Sequence, residues 1–210
     1  MTEQKVFIIG LPRTATTSVC VATLSLGFKT AHTAYTQRAM DEAQIIADTP
    51  IFCDYQQLDK IYPNAKFVYL TRESDKWLPS IRQLLERMYT NLQRSDGGFN
   101  PILKRCYNGV FEPLTLDNIA KDSFLLECYQ RHYQGALDYF NGREQDLLII
   151  DVAHPGSFQQ LADFLDVTDI EPWQNFEHIN IGGKVTAWKK IKHPLKVEAT
   201  EKGKIDSVKQ

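Results

Sequence analysis

The chain has 210 residues, 43% of them hydrophobic and 24% charged, which suits one α/β domain with a small cap; a net charge of −2 excludes a strongly basic nucleic-acid binder and a highly charged disordered chain. Its four cysteines (Cys20, Cys53, Cys106, Cys128) stand far apart without a CxxC pair, which argues against a zinc site and a disulfide framework. No leader pattern precedes the first apolar run, and no run approaches the roughly eighteen apolar residues of a membrane span, so a cytoplasmic protein is expected.

Residues 5–9 (Lys-Val-Phe-Ile-Ile) form a short apolar run ending at Gly10, the pattern of a fully buried parallel strand. Residues 16–26 read as a helix closed by Gly27. Residues 37–47 and 54–61 read as helices, and Pro63-Asn64 as a turn. Residues 66–71 are a second buried strand. Residues 74–93 predict a helix, with Trp77, Ile81, Leu84, Leu85 and Met88 near a 3.6 period. A loop at residues 95–98 precedes one long amphipathic helix over 117–140. Residues 147–152 are the third strand, and Pro155 is expected in the first turn of a helix running to Leu165. Beyond residue 168 the pattern is irregular. From Lys184 onward eight lysines face Glu198, Glu201 and Asp206, read as a solvated, partly frayed tail rather than a nucleic-acid arm.

Strands separated by helical segments predict a three-layer α/β fold, a central parallel sheet with helices on both faces. Residues 1–183 would form this domain, with 92–122 as a candidate acceptor-side cap and 184–210 as the tail. Ligands of such sheets bind beyond the carboxyl ends of the strands. Gly10, Arg72 and residues 151–154 all fall at such ends and are expected to face one crevice.

The central signal is a strand, then Gly10-Leu11-Pro12-Arg13-Thr14-Ala15-Thr16-Thr17-Ser18, then a helix. A helix N-terminus carries unpaired N–H groups and a partial positive charge, so anions settle there. Arg13 adds a permanent charge with a fork of donors suited to phosphate or sulfate. The alternative is a helix merely capped by Thr14 or Thr16. A Walker A loop requires G-x-x-x-x-G-K-[ST]; here Ala15 stands for the second glycine and Thr16 for the lysine.

With these residues in place, the sequence resembles the sulfotransferases that use 3′-phosphoadenosine 5′-phosphosulfate (PAPS), specifically their bacterial and invertebrate-type branch. Residues 12–17 match the family's P-[KR]-[ST]-G-T-T loop except at Ala15. A strand ending in Arg72 with Ser80 eight residues on reproduces its second signature. Tyr62-Pro63-Asn64-Ala65-Lys66, Trp77, Asp48-Thr49-Pro50 and a Phe176-x-His178-x-Asn180 motif are also similar. The resemblance implies a P-loop-like fold and PAPS as co-substrate with no metal. It implies a small-molecule or saccharide acceptor, and neither nucleic acid nor membrane as partner. It further implies that Pro12, Arg13, Thr14, Ala15, Thr16, Thr17 and Ser18 hold the 5′-phosphosulfate, while Arg72 and Ser80 hold the 3′-phosphate.

Departures stand at Ala15, at a late Arg-Lys-Gly element whose basic pair aligns with Ile181 and Gly182, and at residues 154–158. Because Arg13, Thr14, Thr16 and Thr17 persist, the loop is expected to keep its shape with Ala15 in an ordinary backbone conformation. A base must take the acceptor's proton. Asp48 is the first candidate and His32 the second, ahead of His154 and His178. Alternative readings for Arg72 and Ser80 are an ion pair with Glu73 or Asp75 and a plain surface hydroxyl. Two rival functions stay open: a degenerate nucleotide-binding module without transfer, and a P-loop small-molecule kinase, which would need Mg²⁺ and a lysine the loop lacks. The acceptor and the oligomeric state are not legible.

Overall fold

The computed structural model describes residues 4–171, 174–176 and 188–206. His178, Asn180, Ile181, Gly182 and Gly183 therefore lie outside the described residues. Five strands, β1 (Val6–Ile8), β2 (Thr30–Ala31), β3 (Ile45–Ala47), β4 (Lys66–Thr71) and β5 (Leu147–Asp151), form one sheet in the order β2-β3-β1-β4-β5, every pair parallel. Side chains alternate across a strand. Phe7, Phe67 and Tyr69 thus meet α3 (Ile51–Ile61) and α7 (Asp122–Tyr139) on one face. Ile8, Val68 and Leu70 meet α1 (Thr16–Ser25) and α8 (Ser157–Phe164) on the other. This is the expected three-layer α/β architecture. A separate apolar cluster around Trp77, Leu85 and Phe111 joins α4 (Ser74–Leu92), α5 (Pro101–Val110), α6 (Leu116–Ile119) and α7. No helix among the described residues is long and apolar enough to cross a membrane.

Several boundaries differ from the sequence reading. Residues 37–47 are not one helix. α2 (Gln37–Glu42), capped by Thr36 Oγ1 on the Ala39 amide, stops where Ala43 turns extended. Ile45–Ala47 then pairs between β1 and β2, because ladder bonds with both neighbours outweigh a weak helical period. The 117–140 helix is interrupted at Ala120 and Lys121, giving α6 and α7. α5 was not foreseen; Asn100 caps it, accepting from the Ile102 and Leu103 amides. Pro155 precedes α8 rather than entering its first turn; Gly156 at φ 82° is the N-cap.

Residues 195–199 of the C-terminal segment are docked rather than frayed. Val197 donates to the Thr30 carbonyl at 2.9 Å, Thr30 to Leu195 at 3.0 Å and Tyr35 to Ala199 at 2.9 Å, so the segment runs along β2 at the sheet edge.

From β1 the chain leads outward to β2; from β4 it leads the opposite way to β5. The crevice at the carboxyl ends of β1 and β4 is therefore a topological switch point. Gly10 lets these two strand ends close up, since a Cβ there would lie 2.6 Å from the Leu70 carbonyl oxygen.

Candidate functional site

A cavity of about 780 Å³ opens at this switch point. It is lined by Pro12, Arg13, Thr14, Ala15, Thr16, Thr17 and Ser18 from the loop after β1, with His32, Asp48, Arg72 and Ser80. Asp151, Val152 and Ala153 after β5 complete the rim, whereas Gly10 and His154, also expected to face this crevice, are not part of the lining. His154 instead closes a turn by donating its amide to the Asp151 carbonyl.

The loop is held from outside. Trp77 Nε1 donates to the Pro12 carbonyl at 3.0 Å, Arg72 Nη1 to the Arg13 carbonyl at 2.7 Å, and Thr14 Oγ1 to the Leu11 carbonyl at 2.7 Å. Those bonds occupy the carbonyls of Leu11, Pro12 and Arg13. No side chain caps α1, so the simple-cap reading fails: Thr14 is engaged behind the loop, and the Thr16 and Thr17 hydroxyls meet His32 Nε2 at 3.2 and 2.9 Å. Among the described residues, no acceptor takes the amides of residues 14–18. The helix start is thus a set of free donors at a cavity wall.

Ala15 overturns the sequence expectation. It is not in an ordinary conformation but left-handed, at φ 73° and ψ 27°, and Arg13 has φ 75°. Each residue in this region bears strain of about 1–2 kcal/mol for having a Cβ. Positive φ stands on both sides of Thr14, and alternation of left- and right-handed residues is what draws consecutive N–H groups together in an anion nest. The glycine-like shape survives without the glycine.

Arg13 Nε donates to Ser80 Oγ at 2.7 Å, which joins the two sequence signatures directly. Burial depresses the Arg13 pKa, with the charges of Arg87 and Arg72 adding to the effect. Like charges gathered around a half-buried guanidinium create a demand for an anion. Arg72 forms no ion pair with Glu73 or Asp75; Glu73 pairs with Lys76 instead, at 2.6 Å. Asp48, at φ 56°, places Oδ2 3.8 Å from His32 Nε2. Burial lowers the His32 pKa, opposed by the Asp48 charge, and Trp188 stacks on the imidazole at 5.7 Å between centroids.

Sequence reasoning missed Lys76, Gln83, Arg87 and Tyr107, all in the cavity wall. The first three share a signal with Ser80: spacings of four, three and four along α4 put Lys76, Ser80, Gln83 and Arg87 on one helical face, beside the apolar stripe of Trp77, Ile81 and Leu85. Arg87 makes no hydrogen bond or ion pair with any described residue, so its charge is left to the cavity.

A family model described as Sulfotransferase domain matches residues 5–38 and 32–185. No curated protein matches the chain.

Proposed function

The chain belongs to the sulfotransferase domain family, and from that premise we propose that it transfers a sulfuryl group from PAPS to a hydroxyl or amine of a small-molecule or saccharide acceptor. The observation that carries this reading is the Arg13–Ser80 bond, because it sets the anion loop and the second signature side by side in one cavity. A donor with phosphate at both ends of its ribose needs two anion subsites. Arg13 with the free amides of residues 14–18 suits the phosphosulfate, and Arg72 with Ser80 suits the 3′-phosphate.

In the transfer, a bond forms from the acceptor heteroatom to sulfur as the bond from sulfur to the phosphate oxygen breaks. Charge grows on that leaving oxygen. Arg13 and the loop amides are fixed before the reaction and stabilise it where it develops. Asp48 takes the acceptor's proton, and neutral His32 keeps the Thr16 and Thr17 hydroxyls in place. The left-handed backbone at Asp48 turns its carboxylate into the cavity beside His32.

Equilibrium binding of 3′,5′-ADP against ADP tests this reading. A preference for the 3′-phosphate that Arg72→Ala abolishes supports it; equal binding contradicts it.

A further inference from the structure

Away from the cavity mouth, α3 and α5 bring two thiols together. Cys53 on α3 is half-buried and Cys106 on α5 is buried, both as free thiols. Both belong to the apolar cluster in which α3 packs on α5, Cys106 in its buried centre and Cys53 packed against it. The residue next to each completes the arrangement. Arg105 grips Asp54 with two hydrogen bonds, Nη1 to Oδ1 at 2.7 Å and Nη2 to Oδ2 at 2.6 Å, and the same Nη1 lies 3.7 Å from Cys53 Sγ. The two cysteines therefore share a helix contact fastened by an ion pair.

Their chemistry is unequal. The neighbouring Cys106 lowers the Cys53 pKa and Arg105 assists, against the opposing effects of burial and Asp54. The neighbouring Cys53 and then burial raise that of Cys106. One accessible sulfur inclined to the thiolate, backed by a buried protonated partner, is the arrangement of an attacking and a resolving cysteine.

We propose that Cys53 and Cys106 are a peroxide-oxidisable pair, in which Cys53 is oxidised first and Cys106 resolves it into a disulfide between α3 and α5. The Cys53 sulfur attacks one oxygen of hydrogen peroxide, the O–O bond breaks, and the departing hydroxide takes a proton and leaves as water. Sulfur is oxidised to the sulfenic acid and peroxide is reduced. Cys106 then gives up its proton and attacks the Cys53 sulfur; the S–O bond breaks, a second water leaves, and the S–S bond forms. Two thiols and one peroxide become one disulfide and two waters. The bridge would reach the cavity through the neighbouring rings: Phe52 and Tyr107 stand edge to face at 5.8 Å, and Tyr107 lines the cavity wall.

The test is intact mass spectrometry and peptide mapping of the reduced full chain after a small excess of hydrogen peroxide. The expected result is loss of two hydrogens, restored by dithiothreitol, with a cross-linked peptide pair containing residues 53 and 106. Cys53→Ser should abolish that loss, and Cys106→Ser should instead trap a sulfenic acid at Cys53 that dimedone labels. Should Cys106→Ser fail to fold, the wild-type cross-link and Cys53→Ser still decide the matter. Bridges joining other cysteines, oxygen addition without a cross-link in the wild type, or no reaction at all would overturn the proposal.

Discussion

Arg13 Nε donates to Ser80 Oγ at 2.7 Å across 67 residues of sequence. The bond couples the loop after β1 to the second turn of α4, and Arg72 closes the triangle by donating to the Arg13 carbonyl at 2.7 Å. Losing one charge-assisted contact weakens binding by about 1.5–3 kcal/mol. Arg13→Ala should accordingly weaken 3′,5′-ADP binding by roughly tenfold to a hundredfold. The fold should tolerate it, since only the Ser80 hydroxyl loses a partner. Isothermal calorimetry with circular dichroism checks both; unchanged affinity in an unfolding-prone variant would make Arg13 structural.

Ala15 at φ 73° already has the conformation a glycine would adopt. Replacing it with glycine relieves strain of about 1–2 kcal/mol but adds roughly 0.5–1 kcal/mol of chain entropy to the unfolded state. The two nearly offset, so Ala15→Gly should keep 3′,5′-ADP affinity within a few-fold and unfolding stability within about 1 kcal/mol. Ala15→Val, β-branched at positive φ, should lose at least tenfold in affinity. A hundredfold gain for the glycine variant would mean the natural loop is impaired and would favour the binding-module reading.

Asp48 stands at φ 56°, a region where Asn is as comfortable as Asp. Asp48→Asn therefore removes the carboxylate and leaves the backbone alone. Transfer should fall by about 10²–10⁴-fold with 3′,5′-ADP affinity unchanged. Single-turnover rates at saturating donor measure this. Full activity in the variant would move the base to His32. Burial holds His32 neutral further into acid than an ordinary histidine. In that case activity should fall only below about pH 6.5, the unperturbed histidine value.

Much of this was legible because it is local. The strand, Gly10 and the hydroxyl-rich run sit within one short stretch, and Arg72 and Ser80 keep a fixed spacing on a strand and helix that were both readable. What escaped depends on distant partners. β2 is two residues long and exists through its ladder with Ile45 and Ile46. β3 carries apolar spacing that also fits a helix. Docking of the C-terminal segment beside Thr30 leaves no pattern in a lysine-rich run. The left-handed backbone at Ala15 belongs to a loop braced at its Pro12 and Arg13 carbonyls by Trp77 and Arg72, partners that no local propensity records.

His132 gives a stability prediction independent of the site. Its Nε2 must donate to the Phe52 carbonyl, at 2.7 Å, so Nδ1 accepts from the Tyr69 hydroxyl at 2.8 Å and the ring is neutral. Burial brings its pKa down to about 4, against a bond to the Phe52 carbonyl that works the other way. The folded value lies below the unfolded value of about 6.5, so the stabilisation is complete above about pH 6.5 and is lost as pH falls toward 4. The loss is on the order of 2 kcal/mol, allowing for partial exposure of the ring. Urea midpoints at pH 7 and pH 4.5 should drop further for the parent than for His132→Asn, which cannot titrate; identical drops would show that His132 does not contribute.

The two-subsite account meets its most direct test in thermal unfolding with 3′,5′-ADP, ADP, and ATP with and without Mg²⁺. At a hundred times its dissociation constant, 3′,5′-ADP should add about 2.7 kcal/mol of stability, a shift of several degrees. ADP and ATP should give far less, with no dependence on Mg²⁺, and Arg72→Ala should erase the advantage of the 3′-phosphate. Equal shifts from ADP and 3′,5′-ADP, or a shift with ATP that requires Mg²⁺, would contradict the account.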